Sequence, residues 1–185
     1  MKKLFIIPNI SIASLNDKIK AQTITINGVS KAYAMTGWRL GYAGGPKDII
    51  TGMGSLQSQL TSNASSISQM AAIEAISGDQ KPVGEMRKEF ANRREFLIKG
   101  LSEISELSFV PPQGAFYFFV SIEKLLDNNY PTSSAWCEGL LDHEKVAVVP
   151  GEAFHYPGYF RLSFASSLEE LKKAIEGIKR FVDSN

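Results

Sequence analysis

The chain has 185 residues, 44% of them hydrophobic and 21% charged, with a formal net charge of +1. That length holds one ordinary domain, or one small domain with part of another, and the composition excludes a disordered chain. Near-neutral charge gives no pull toward nucleic acid or an acidic surface, and a single cysteine excludes an internal disulfide and makes the cytosol the default compartment.

The start, MKKLFIIPNISIASL, is basic and then apolar, as a signal peptide is. Its apolar run LFII is stopped by Pro8 and Asn9, too short for an export signal or a membrane span. A strand or an irregular chain start is expected there. TITINGV, residues 23–29, reads as a strand ending in a loop, and WRLGYA, residues 38–43, as a second short strand stopped by Gly44, Gly45 and Pro46. A helix is predicted from about Lys47. The run GMGSLQSQLTSNASS carries almost no charge and reads as a loop, with a buried polar contact surface as the alternative.

ISQMAAIEAISG, residues 67–78, is predicted as a helix ending at Gly78. A longer helix is expected from about Val83 to Ile104, with Met86, Phe90, Leu97, Leu101 and Ile104 on one stripe. Arg87, Lys88, Arg93 and Arg94 lie mostly off that stripe and read as solvent-facing rather than anion-binding. PPQGAFYFFVSI turns into an aromatic strand, SAWCEGLLDHEK is a helix, VAVVP a short strand, GEAFHYPGY a loop and FRLSFA another strand. Ser167 with Glu170 reads as a capping box, ahead of a last helix that shows Leu168, Leu171, Ile175, Ile178 and Val182 on one face. Residues 81–185 therefore carry enough elements for a small α/β domain. Residues 1–80 offer two strands that cannot make a stable sheet alone, so this part reads as the edge of something larger. No Walker-type phosphate loop is present. His143, His155 and Cys137 make a poor basis for a zinc site, and all three read as structural or incidental.

Within SKAYAMTGWRLG, one lysine and one arginine stand among small residues. A lysine with a neutral amine forms Schiff bases. Arg39 offers a fixed fork for a phosphate and Ser30 a hydroxyl donor. On residue type alone, Lys31 reads first as an ordinary surface lysine, and a glycine-rich turn with one arginine such as Arg39 is also common.

TITINGVSKAYAMTGWRLGYAGGP resembles the cofactor-lysine segment of the class I and II aminotransferases, pyridoxal-phosphate (PLP) enzymes of the aspartate aminotransferase fold. The likeness is to the bacterial aspartate and aspartate–prephenate branch. It implies that Lys31 holds the cofactor as an aldimine and that Arg39 contacts its phosphate, with Ser30 close by. PPQGAFYFFV, VAVVPGEAF and YFRLSFASSLEEL resemble small-domain segments of the same family. The last of these implies that Arg161 receives the substrate α-carboxylate, for which a guanidinium offers two parallel charged hydrogen bonds. SQLTSNASS resembles the segment at the subunit boundary of these dimers, which makes Thr61, Ser62 and Asn63 candidates for a contact to a neighbouring site.

The resemblance runs from about Ser11 to Val182 and covers roughly the C-terminal half of the family fold. It implies an α/β chain of the fold type I PLP-dependent transferase class, with an incomplete large domain over residues 1–80 and a small C-terminal domain over 81–185. The family's phosphate loop, ring-stacking aromatic, asparagine, tyrosine and the aspartate that pairs the pyridine nitrogen belong upstream, and MKKLFIIPN resembles a fresh start after that lost half. The implied activity is transfer of an amino group between an L-amino acid, aspartate or glutamate first and aromatic amino acids second, and a 2-oxo acid. The implied partners are a second copy in a homodimer or a complementing N-terminal chain. An inactive remnant and an interaction domain are the alternative readings.

Overall fold

The computed structural model describes residues 10–184; the start MKKLFIIPN and Asn185 lie outside the described residues. The chain divides into two compact units, the first ending at Arg87 and the second beginning at Lys88.

The first unit opens with a short helix, Asp17–Lys20 (α1), capped by the Asn16 side chain on the Ile19 N–H. Two strands follow, Thr25–Gly28 (β1) and Gly41–Gly44 (β2), paired antiparallel with Gly28 opposite Gly41 and Thr25 opposite Gly44. Among the described residues they pair only with each other. The second strand starts three residues later than expected, because Trp38 closes a 3-10 turn and Arg39 sits in the left-handed region at φ 53°. The helix expected from Lys47 runs on through Leu60 (α2), which corrects the loop reading of GMGSLQSQL. Threonine and serine hydroxyls do not stop a helix when they reach back to it: Thr51 and Ser55 donate to carbonyls four residues earlier. No residue of α2 is buried within this chain.

The third helix, Ser66–Ser77 (α3), ends at Gly78 as expected. A small core joins Val29, Met35 and Ala72, with Tyr33, Leu40, Ala71 and Ala75 packed against it. The next helix, Lys81–Ser102 (α4), matches the predicted long helix within two residues at each end.

In the second unit four strands form one antiparallel sheet: Ser108–Phe109 (β3), Tyr117–Ser121 (β4), Val149–Pro150 (β5) and Tyr159–Ser163 (β6), in the spatial order β3-β4-β6-β5. The two-residue β3 carries no sequence period and was not expected, and the expected strand over VAVVP shrinks to its last two residues. Between the strands stand Ser133–Glu144 (α5), capped by Thr132, and finally Leu168–Asp183 (α6). Strand alternation sorts the two faces. Phe118, Val120, Phe160 and Leu162 are buried beneath the helices, in one core with Leu97, Leu101, Trp136, Leu140, Ile175, Ile178 and Phe181. Trp136 stacks on Phe160 at 5.4 Å and meets Phe181 edge-on at 5.3 Å. The opposite sheet face carries Tyr117, Phe119, Tyr159 and Arg161.

The α6 stripe is buried as predicted except for Leu168, which is 38% exposed at the helix start. Ser167 accepts the Glu170 N–H at 3.2 Å, the first half of the expected capping box, while the Glu170 carboxylate accepts from Lys173. The solvent-facing reading of the α4 arginines holds for Arg87 and is corrected for two others. Arg94 is half-buried, donating to the Pro112 carbonyl at 2.6 Å and to Glu95, and Arg93 pairs with Glu89 at 2.9 Å with its guanidinium 5.2 Å over Phe90. Their stems lie along apolar neighbours while the charges find local partners. Among the described residues no helix is long and apolar enough to cross a membrane.

Candidate functional site

The lysine segment is a turn fixed at both flanks. Val29, fully buried, and Met35, 8% exposed, pack with Ala72 of α3 on either side of Lys31. Between them the Tyr33 N–H donates to the Val29 carbonyl and the Ala34 N–H to the Lys31 carbonyl, both at 3.3 Å. That single helical turn leaves Lys31 exposed at its crest. Lateral ties hold it. The Tyr33 hydroxyl donates to Gln80 at 3.4 Å, and the Gln80 amide in turn donates to the carbonyls of Ala75 and Gly78 at the end of α3. Buried Ser68 donates to the Trp38 carbonyl at 2.9 Å.

Thr36 links two of the three candidates, Ser30 and Arg39. Its hydroxyl donates to the Ser30 carbonyl at 3.1 Å, and its own carbonyl accepts from Arg39 Nη1 at 3.1 Å. The left-handed Arg39 folds its guanidinium back over its own turn. Ala34 is also left-handed at φ 55°, so two non-glycine residues bracket the Met35–Trp38 stretch in a conformation that costs roughly 1–2 kcal/mol per residue. Such strain persists only where the surroundings over-determine it, and the buried Val29 and Met35 with the Ser68, Gln80 and Thr36 bonds supply that constraint. An amine, a guanidinium and a hydroxyl are thus held on one tied segment, a donor set that suits an aldehyde bearing a phosphate.

Arg161 lies in the second unit, on the inner strand β6, opposite Phe119 on one side and Val149 on the other. Its guanidinium carbon sits 4.4 Å from the Tyr117 ring centre and 4.9 Å from that of Phe154. Its Nε is buried and has no hydrogen-bond partner among the described residues. Phe119 stacks on Tyr159 at 5.0 Å, and Phe154 and Tyr156 meet Phe119 edge-on, extending the aromatic surround. A buried guanidinium nitrogen without a partner costs free energy that a ligand carboxylate offsets.

The structure thus gathers Ser30, Lys31 and Arg39 in the first unit and carries Arg161 in the second. Thr61, Ser62 and Asn63 lie exposed just after α2, with Ser62 left-handed at φ 62°. His143 stacks on Phe181 at 5.9 Å, His155 is exposed, and Cys137 is buried in the core, where desolvation first and then the Glu152 and Glu138 charges push its thiol up to about 12. Two surface clefts of about 620 and 600 Å³ are lined by none of Ser30, Lys31, Arg39 or Arg161. Sequence reading missed Tyr117 and Phe154 as walls of the arginine. The period-two pattern of YFFVS puts Tyr117 on the same face as Arg161 once the strand pairing is known, whereas Phe154 comes from a loop with no such signal.

The family model for class I and II aminotransferases matches residues 4–178. The aspartate aminotransferase of Bacillus subtilis is 46% identical over 96% of this chain and 45% of its own length, and that of Geobacillus stearothermophilus 48% identical over 95% and 45%. Among solved structures, the aspartate aminotransferase of Rhizobium meliloti superposes with a TM-score of 0.89 at 44% identity, over 96% of this chain and 46% of that one. An aromatic aminotransferase from Pyrococcus horikoshii gives 0.87 at 40% identity, over 96% and 47%. The chain therefore spans about half the length of the relatives it matches, and over nearly all of its own length it shares their sequence and their α/β fold: it belongs to the class I and II aminotransferase family.

Proposed function

We propose that these 185 residues supply the lysine, one phosphate contact and the substrate-carboxylate contact of a PLP-dependent aminotransferase. The remaining ring contacts would come from residues outside them, on the same or a separate polypeptide. The observation that carries this reading is the tied turn: Lys31 stands at its crest, and Thr36 binds Ser30 on one side and Arg39 on the other.

In this reading Arg39 binds the cofactor phosphate through its guanidinium, and Ser30 adds a hydroxyl donor. Pyridoxal phosphate, when bound, supplies a reactive aldehyde and a ring that withdraws electrons from the substrate α-carbon. Lys31 Nζ would hold the cofactor by its aldehyde group and, as a free amine, would be the base that takes the substrate α-proton. Arg161 fixes the substrate α-carboxylate. The rings of Tyr117 and Phe154 block the faces of its guanidinium, so a carboxylate meets it at the edge, in the plane of its N–H groups. Aspartate or glutamate with a 2-oxo acid is the proposed substrate pair, in keeping with the aspartate aminotransferases among the relatives.

The partner proposed is a polypeptide equivalent to the other half of the family fold, with dimerisation of the completed assembly. It is supported by the share of the relatives that this chain spans and by exposed apolar residues on the first unit, such as Ile26, Leu56, Leu60 and Ile67. The test is to combine the purified chain and pyridoxal phosphate with the preceding half of the B. subtilis relative, then measure aspartate–2-oxoglutarate turnover. Lys31→Ala should abolish turnover and the visible absorbance of the bound cofactor. Arg39→Ala should weaken cofactor binding by about tenfold or more, the scale of a lost charge-assisted pair. Undiminished turnover in Lys31→Ala overturns the reading, because neither Arg39 nor Arg161 supplies a Schiff-base amine.

A further inference from the structure

We propose that Glu152 and Phe154 are positioning residues for Arg161: the Glu152 carboxylate ties the loop after β5 to the first turn of α5, and the tie holds the Phe154 ring against the guanidinium. That a carboxylate ligand uses the resulting geometry rests on the function proposed above; the tie itself does not.

The loop from Gly151 to Gly158 is joined to Ser133, the first residue of α5, by two bonds. The Ser133 N–H donates to Glu152 Oε1 at 2.9 Å, and the Gly158 N–H donates to the Ser133 hydroxyl at 2.8 Å. An N–H in the first turn of a helix has no partner within the helix and sits at the positive end of its dipole, so a carboxylate there is doubly favoured. Ser133 is fully buried, and the second oxygen of Glu152 is buried as well. A buried carboxylate on such an anchor has little freedom to swing. Two residues on, the 3-10 turn Gly151–Phe154 delivers the Phe154 ring to 4.9 Å from the Arg161 guanidinium, across from Tyr117.

The asymmetry of the two walls makes the tie matter. Tyr117 belongs to β4, whose pairing with β6 fixes it beside Arg161. Phe154 is 41% exposed and lies on no strand, so its place is set by its loop, with the edge-on contact to Phe119 as its other ring neighbour. If the loop relaxes, one face of the guanidinium opens to water, the cation–π contact is lost, and the arginine gains freedom to turn its edge away.

The readout is the Arg161 Nε–H resonance in ¹⁵N-arginine-labelled full-length chain, assigned by its disappearance in Arg161→Lys. In the native chain the two flanking rings shift it from the position of a solvated arginine. Phe154→Leu and Glu152→Ala should both move it toward that position and speed its solvent exchange about fivefold, the factor set by one cation–π contact. Phe154→Tyr and Glu152→Gln, which keep the ring and the acceptor oxygen, should restore the native signal. If Glu152→Ala loses the dispersed amide signals of α6, the decisive variant is Ser133→Pro. It removes both loop-to-helix bonds, the N–H on Glu152 and the hydroxyl that accepts from Gly158, at a helix position that tolerates proline, and should move the resonance at least as far as Phe154→Leu does.

A native Arg161 signal in both Glu152→Ala and Ser133→Pro, alongside a shifted one in Phe154→Leu, overturns the tie. A native signal in Phe154→Leu overturns the ring's role. Titration with 2-oxoglutarate keeps the two levels apart. No response at Arg161 in the unsubstituted chain counts against the carboxylate role alone, because the variants decide the tie without ligand.

Discussion

Gly151→Ala converts the packing of the arginine loop into a measurable stability change. A Cβ on residue 151 would stand 2.0 Å from the Tyr156 carbonyl oxygen and 2.8 Å from that of Tyr159. Both are backbone atoms and neither rotates away. Relief needs the two sides of the loop to part by about 1 Å or more, which over-packed interiors charge at about 1–3 kcal/mol. Parting them also breaks the loop-closing bond from the Tyr156 N–H to the Gly151 carbonyl, now 3.0 Å, for about 0.5–1.5 kcal/mol more. The expected loss is therefore about 2–4 kcal/mol from the second unit.

Urea unfolding followed by tryptophan fluorescence reads it, since Trp136 is 1% exposed in that core whereas Trp38, in the first unit, is 44% exposed and changes little. With a slope of about 1–3 kcal/mol per molar urea, the midpoint should fall by about 1 M or more. An unchanged midpoint would refute the reasoning, because no side-chain rearrangement can accommodate that Cβ.

Gly52→Ala and Gly54→Ala should act in the opposite sense: a Cβ at either meets nothing within 4 Å on α2, so each should stabilise that helix by about 0.5–1 kcal/mol, seen as slower amide exchange through Lys47–Leu60. Trp136→Ala should cost about 3–5 kcal/mol in urea unfolding followed by far-UV circular dichroism, since it removes a buried ring stacked on Phe160 and edge-on to Phe181. Cys137 should resist a disulfide reagent at pH 8 in the folded chain and react at once in urea, as its thiol is held near 12 by burial. The same shift sets a pH dependence. Below about pH 8.5 the thiol is neutral in both states and its contribution is fully present; between there and about 12 only the unfolded chain ionises, so stability should fall as pH rises. Cys137→Ser, with a hydroxyl that does not titrate in this range, should flatten that part of the profile.

What was legible in the sequence was local. The stripe Leu171, Ile175, Ile178 and Val182 fixes α6 because a helix has one period and one buried face. Phe118 with Val120, and Phe160 with Leu162, mark the buried face of two strands for the same reason at period two. Gly78 stops α3, and Ser167 caps α6 with the bond its side chain suggests. Lys31, Arg39 and Arg161 stood out through the resemblance of their segments to the class I and II aminotransferases, since residue type alone left each of them an ordinary lysine or arginine. The unread parts had weaker local signals. The polar run of α2 looked like a loop because composition says little about backbone when each hydroxyl can bond within its own helix.

Tertiary structure decided the rest. The order β3-β4-β6-β5 depends on pairings between residues up to tens of positions apart, which no local period encodes. That order puts Tyr117 beside Arg161, and the Glu152 tie brings Phe154 to the other side. Arg94 reads as a surface charge until the Pro112 carbonyl comes to meet it. Sequence by itself determined which groups this chain offers, because side-chain chemistry and helix or strand period are properties of neighbours along the chain. Which of those groups are buried, walled or tied was decided only when distant segments packed, because desolvation and hydrogen-bond partners are properties of neighbours in space.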